Sequence, residues 1–212
     1  MAIKLGLTAD EVLTTTRSVR KRLDLDKPVP RDVLVECVEI AHQAPTGSNT
    51  QGWRWLFVEE PAKKKAIADM YRANFYPYVN DPNRPQRDGQ GDRILASATY
   101  LADVLDQVPV LLIPLIAGRL DTGLPTFAQA SSWGSILPAV WSFMLALRER
   151  GLGSAWTTLH LPNEREAAEV LGIPFDHYTQ AGLFPIAYTV GTDFKVAKRL
   201  PAEKFIRWDS WT

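Results

Sequence analysis

Arg17-Ser18-Val19-Arg20 sets two guanidinium groups three residues apart, with a hydroxyl between them and Lys21 and Arg22 directly after. On a helical turn Arg17 and Arg20 would face one side, and two planar donors with a serine hydroxyl suit a phosphate dianion. A basic run at a helix end is also what a solvated, dipole-favoured face looks like, so this run alone leaves both readings open. A second run, from Ala44-Pro45-Thr46-Gly47-Ser48-Asn49 to Thr50-Gln51-Gly52-Trp53, gathers hydroxyls, amides and flexible backbone. Asn and Gln both donate and accept, which matches a heterocycle edge and a polyol chain better than a phosphate alone. A plain turn draws on the same residue types. Gly153-Ser154-Ala155-Trp156-Thr157-Thr158 and Lys198-Arg199-Leu200-Pro201 form a third and a fourth segment, each bland by itself.

Other chemistries lack their residues. The chain has no GxxxxGK[ST] loop, no HExxH and no GxSxG elbow, which removes the motifs of nucleotide triphosphatases, zinc proteases and serine hydrolases. Its one Cys and three scattered His give neither a disulfide framework nor zinc-ligand spacing, so no metal site is expected. Gly151-Leu152-Gly153 is a partial GxG, but it follows a helix instead of a strand, so Gly151 reads as a helix terminus. With 24 basic and 24 acidic residues, 212 in all, the chain lacks the field of a nucleic-acid binder. Residues 122–147 are uncharged and long enough for a membrane span, but several Ser and Thr and two Pro make a buried helix the better reading. The N-terminal residues lack a sustained apolar stretch, so the cytoplasm is the expected compartment.

The elements that must position these segments follow from pattern. A capping box at Thr8-Ala9-Asp10-Glu11 predicts a short helix over residues 9–16, delivering Arg17 at its end. A second helix starts at Pro30 or Arg31 and stops by Ala44-Pro45. Residues 54–58 read as a strand, and a charged helix begins at Pro61 and runs to Tyr71. Pro77, Pro82, Pro85, Gly89 and Gly91 mark residues 76–92 as an irregular excursion of the kind that forms lids. A helix over 95–105 and an apolar interior strand over 108–116, trimmed by two prolines, come next. The uncharged helix then ends at Arg148-Glu149-Arg150-Gly151. Residues 152–158 are a strand candidate, 163–171 a helix capped by Asn163, and 185–190 a last strand. The whole reads as one mixed α and β domain, residues 1–212, with a basic arm over 195–212.

Taken in order along the chain, these four segments resemble the FMN-dependent nitroreductase family, over nearly the full length. The resemblance implies an α+β, three-layer fold with a mostly antiparallel central sheet flanked by helices, in an intertwined homodimer with FMN at the subunit interface. It implies that Arg17, Ser18, Val19 and Arg20 lie at the phosphate and ribityl end, with Lys198 and Arg199 closing over the same phosphate. Pro45, Thr46, Gly47, Ser48 and Asn49 would line the flavin from the partner subunit, Gln51 would support their loop, and backbone near Thr157 and Thr158 would sit at flavin N5. Thr16 stands where the family often has another basic residue. Gly52 stands where it usually has Pro, which would make the loop's exit more flexible.

No side chain forms a catalytic acid, base or nucleophile constellation, and a flavoenzyme requires none. The expected activity is a ping-pong oxidoreductase, with NAD(P)H as donor and a nitroaromatic, quinone or other electron-poor small molecule as acceptor. The alternatives are a flavin-binding or sequestration protein without turnover, and the related chemistries of reductive dehalogenation, enoate reduction and flavin fragmentation. Trp133, Trp141 and Trp156 are expected in the core. Charge is uneven: residues 1–31 hold seven basic and four acidic groups, and residues 195–212 hold five and two. Two basic ends on an acidic body would suit one small phosphate where they meet.

Overall fold

Strand β1 (Trp53–Val58) runs antiparallel to β2 (Val110–Ala117), from Trp53 opposite Ile116 to Val58 opposite Leu111. This computed structural model describes residues 3–83, 89–121 and 123–211. Strand β3 (Leu152–Ser154) is the short remnant of the run expected over 152–158, and Thr157 beyond it makes a single bridge to Leu183. Strands β4 (Tyr178–Gln180) and β5 (Phe184–Tyr188) lie end to end along the free side of β2, and β3 pairs with the outer side of β5. All four strand pairings are antiparallel. Pro114 fits inside β2 because its carbonyl accepts from the Ala181 N–H at 2.8 Å. Its missing donor therefore faces the gap between β4 and β5, where there is no ladder to complete. Strand β4, three residues after a turn, is too short to leave a period in the sequence.

Alternation along β2 sets up the layers. Val110, Leu112 and Ile116 join a core with helices α2 (Arg31–Ala41) and α5 (Thr126–Glu149). Leu111, Ile113 and Leu115 face the opposite way, into a core with α3 (Pro61–Val79) and α4 (Gly89–Val104). A strand buried on both faces reads as one continuous apolar run. The result is an antiparallel sheet between two helical layers, as expected. Helix α5 is long and apolar enough to cross a membrane, yet Ile136, Ala139, Val140, Phe143 and Leu147 are fully buried in the first core, so it is a core helix of this fold.

Several boundaries moved. Helix α1 (Ala9–Thr15) has its capping box, with Glu11 Oε2 accepting from the Thr8 N–H at 2.8 Å. Helix α3 runs past Tyr71 to Val79 because Tyr71 and Phe75 are buried and stacked at 5.6 Å, and Pro77 falls in its last turn, where little bonding is lost. Helix α4 starts at Gly89, so both flanks of the expected irregular excursion over 76–92 are helical. Pro85 of that excursion lies outside the described residues. Helix α6 (Glu164–Leu171) is not capped by Asn163, whose side chain instead accepts from Asn74 Nδ2 at 2.7 Å. Gly151 adopts φ 70° directly after α5, the left-handed terminus anticipated for it.

Candidate functional site

Arg17 and Arg20 are not on a helical turn. Helix α1 ends at Thr15, Thr16 is extended, and Ser18 forms a parallel bridge with Ser154 while the Val19 N–H donates to the Ser154 carbonyl at 2.8 Å. The segment is thus an extra edge piece against β3. Close approach requires Gly153, where a Cβ would lie 2.8 Å from Val19 Cβ and 2.7 Å from Thr189 Cγ2. Val19, 5% exposed, anchors the segment, and the backbone bends at Arg20.

Both arginines and Ser18 line one cavity of about 640 Å³, which Arg199 reaches from the C-terminal arm. Two chain ends therefore meet there. The arm is held by Phe194, whose ring lies 4.2 Å from the Arg22 guanidinium carbon and 5.2 Å from that of Arg148. Arg22 also pairs with Asp193 at 2.6 Å, and Arg148 Nη2 donates to the Thr192 carbonyl at 3.1 Å. Lys198 is exposed and outside the cavity lining. Helix α4 contributes Gln90, Arg93 and Ser97, and α5 contributes Trp141 and Met144.

A second cavity of about 610 Å³ adjoins the first, sharing Arg20, Ile94 and Trp156. Thr157 and Thr158 line it with Tyr71, Phe75 and Tyr78 of α3. The Thr157 N–H and hydroxyl both donate to the Leu183 carbonyl, at 3.1 and 2.7 Å, whereas Thr158 is exposed. Burial pushes the Tyr71 hydroxyl up to about 12 against the pull of nearby Arg20, so it keeps its proton at neutral pH.

Arg17, Arg20, Arg93 and Arg199 have no carboxylate partner among the described residues, and neither cavity lining contains Asp or Glu. Elsewhere Arg22, Arg31, Arg72, Arg119 and Arg150 each pair with an acidic group, while Arg54, Arg148, Arg165 and Arg207 lie over aromatic rings. Burial draws the Arg20 pKa below its ordinary value, and the one hydrogen bond of its side chain among the described residues is a long 3.4 Å contact to Ser97 Oγ. Uncompensated cations around a hollow favour an anion. The hollow is of small-ligand size, with Trp141, Trp156 and Met144 offering apolar surface beside the charges. This donor set fits a flavin mononucleotide, whose phosphate calls for cations and whose flat ring calls for aromatic surface.

The Pro45–Thr50 loop is elsewhere in the chain. Its 3₁₀ turn, Gly47–Asn49, is pinned to α5 by the Gly47 N–H donating to Ser135 Oγ at 3.0 Å, and a Cβ on Gly47 would lie 2.6 Å from Ser131 Oγ. Ser48, Asn49 and Gln51 all adopt positive φ, 50°, 55° and 49°, a cluster of strained non-glycine residues with exposed polar side chains. Gln51 braces the turn through Asn49 Oδ1 at 3.2 Å. Gly52 is fixed rather than flexible, since its carbonyl accepts from the Ala117 N–H at 2.9 Å. Thr46, Gly47, Ser48 and Asn49 do not line the arginine cavity, while Pro45 lines an apolar groove on another face of α5 with Ile40, Pro138 and Leu145.

The sequence reading missed Gln90, Arg93 and Ser97, hidden at the edge of the expected irregular stretch. Their signal was the i, i+3, i+7 spacing of one helix face. It also placed Trp141 in the core, but Trp141 is 39% exposed on the cavity; Trp133 and Trp156 pack half-buried against the first core, Trp156 also fronting both cavities.

The chain is 27% identical over 179 residues to an iodotyrosine deiodinase of Thermotoga neapolitana, covering 83% of this chain and 86% of that one. It is 27% identical over 215 aligned positions to an NADH dehydrogenase of Thermus thermophilus, covering 95% and 96%. A crystal structure of oxidized iodotyrosine deiodinase bound to FMN and 3-iodo-L-tyrosine superposes with a TM-score of 0.73 at 23% identity, over 96% of this chain and all of that one. The model of the nitroreductase family matches residues 13–188, and with the antiparallel three-layer fold around it this places the chain in the nitroreductase family.

Proposed function

We propose that this protein is an FMN-dependent oxidoreductase that takes reducing equivalents from NAD(P)H and delivers them to a nitroaromatic, quinone or similar electron-poor acceptor. The observation that carries it is the convergence of Arg17, Ser18, Arg20 and Arg199 from two chain ends on one cavity without a carboxylate. Bound FMN supplies the two-electron chemistry. Arg17, Ser18 and Arg199 hold its phosphate, with Val19 fixing the backbone of Arg17 and Ser18 against β3. Arg20 stands where the two cavities join. Trp156 and Met144 give the ring an apolar bed, and Thr158 presents polar atoms at its edge. Tyr71 holds its proton on the hydroxyl oxygen and donates a hydrogen bond into the second cavity.

Pro45 to Asn49 reach flavin only from a second copy, because the chain's own loop is pinned across α5. A homodimer follows, with the strained exposed loop contributed in trans. An NADH dehydrogenase among the relatives supports a nicotinamide donor. A second reading, reductive dehalogenation of a halogenated phenol, is favoured by the iodotyrosine deiodinase relatives and the aromatic lining of the second cavity.

Anaerobic stopped-flow tests the proposal. NADH or NADPH should bleach the flavin absorbance, and a nitroaromatic or quinone should restore it. Restoration by 3-iodotyrosine alone, with iodide released, would favour dehalogenation. Flavin that binds and is reduced by neither donor would make the protein a flavin carrier without turnover.

A further inference from the structure

One phosphate leaves part of the positive charge at these cavities unanswered. A phosphate monoester carries about −1.5 to −2 at neutral pH, against four guanidinium groups. With Arg17 and Arg199 at that phosphate, on the functional reading above, Arg20 and Arg93 remain. Arg93 differs from the others in its element. It sits on α4 with Gln90, Ile94 and Ser97 at helical spacing, so a guanidinium, an amide and a hydroxyl share one face with an apolar side chain that is 51% exposed. Ile94 fronts both cavities, opposite the aromatic wall of Tyr71, Phe75 and Tyr78. The neighbouring acid Asp92 faces another hollow, with Lys21 and Asp103, and does not neutralise this face.

We propose that Arg93, assisted by Gln90, is an anion subsite for the molecule that visits the flavin. The visitor is an aromatic acceptor bearing a carboxylate, or a nicotinamide donor bearing an extra phosphate; the shared chemistry is an oxyanion beside a flat ring. This rests on the functional reading for the place of FMN. It adds that helix α4 selects by charge, while the phosphate cluster retains the cofactor.

The test is equilibrium binding to the FMN-loaded protein, read by perturbation of the flavin spectrum and by quenching of Trp141 and Trp156. One arm compares 4-nitrobenzoate with 4-nitrobenzamide, the other NADP⁺ with NAD⁺, for wild type, Arg93→Gln and Arg93→Lys. At low salt the wild type should prefer the charged member of one pair by about five- to tenfold, the scale of a partly screened ion pair. Arg93→Gln should bring that preference near unity and Arg93→Lys should keep most of it; the pair that responds identifies the source of the oxyanion. A wild type without preference in either arm overturns the proposal. So does an Arg93→Gln protein that loses FMN as severely as Arg17→Ala does, which would assign Arg93 to the cofactor phosphate. Failure of the wild type to take up FMN would instead contradict the functional reading, and tryptophan quenching would still report the carboxylate preference of the flavin-free protein.

Discussion

Arginines without a carboxylate partner line the site, and a neutral histidine is buried elsewhere with one ring nitrogen unpartnered among the described residues. His160 is fully buried, and Gln180 Nε2 donates to the Glu164 carbonyl, which turns Gln180 Oε1 toward His160 Nε2 at 3.1 Å and assigns the ring proton to that nitrogen. Burial drives its pKa from 6.5 down to about 4, against smaller opposing effects of Gln180 and Glu164. The unfolded chain therefore takes up a proton below 6.5 that the folded protein refuses until about 4, so this contribution to stability is present above 6.5 and is lost as pH falls through that window. The slope is about 1.4 kcal/mol per pH unit at most. Urea unfolding at pH 7.5, 5.5 and 4.5 should show a steeper fall for wild type than for His160→Gln; equal slopes would place the proton elsewhere. At this scale the sequence exposed Arg17, Ser18, Arg20 and Arg199 through residue type and order. It concealed Arg93 and Trp141 because their role depends on which face of a helix meets a hollow. Arg17 and Arg20 share that hollow through edge pairing and a bend instead of the helical turn their spacing suggested.

Elements place what residues supply. The C-terminal arm is mostly exposed coil, yet Arg199 reaches the cavity because Phe194 is gripped between Arg22 and Arg148 just upstream. Arg148 is 6% exposed and without a carboxylate partner among the described residues, and burial lowers its pKa. Its packing on Phe194 and its bond to the Thr192 carbonyl compensate part of that cost. Phe194→Ala should release the arm and weaken FMN binding by about as much as Arg199→Ala, roughly tenfold, the worth of one charge-assisted contact. The double variant should be little worse than either single one. Additive losses in a fluorescence titration would show that the clamp and Arg199 act independently. Strand β2, α1, α2 and α5 were legible because apolar periodicity and caps are local signals. The ends of α3 and α4 were not, because buried Tyr71 and Phe75 hold helix where Pro77 and the glycines predict irregularity, a tertiary effect that overrides local preference.

Across the whole molecule, a net charge of zero conceals a division of labour. Basic residues at the two chain ends meet at one hollow, while the loop that should cover a flavin sits across α5 from it. On the proposed function the single chain would hold a phosphate end without its cover, so a dimer is the expected assembly. Sedimentation should find a species of twice the chain mass, and a monomer that binds FMN at full affinity would contradict the assignment of Pro45 to Asn49 to the partner's flavin. Fold class was legible in the sequence because four motifs in order constrain a topology; the partner subunit's share of the site is an expectation of the resemblance alone. The central claim is that the arginines at the two ends bind the phosphate of FMN, and titrating the flavin-free protein with FMN and with riboflavin tests it most directly. FMN should bind at least about a hundredfold tighter, as expected for two or more charge-assisted contacts, and Arg17→Ala and Arg199→Ala should each lower that ratio about tenfold. Equal affinity for FMN and riboflavin in the wild type would contradict the account.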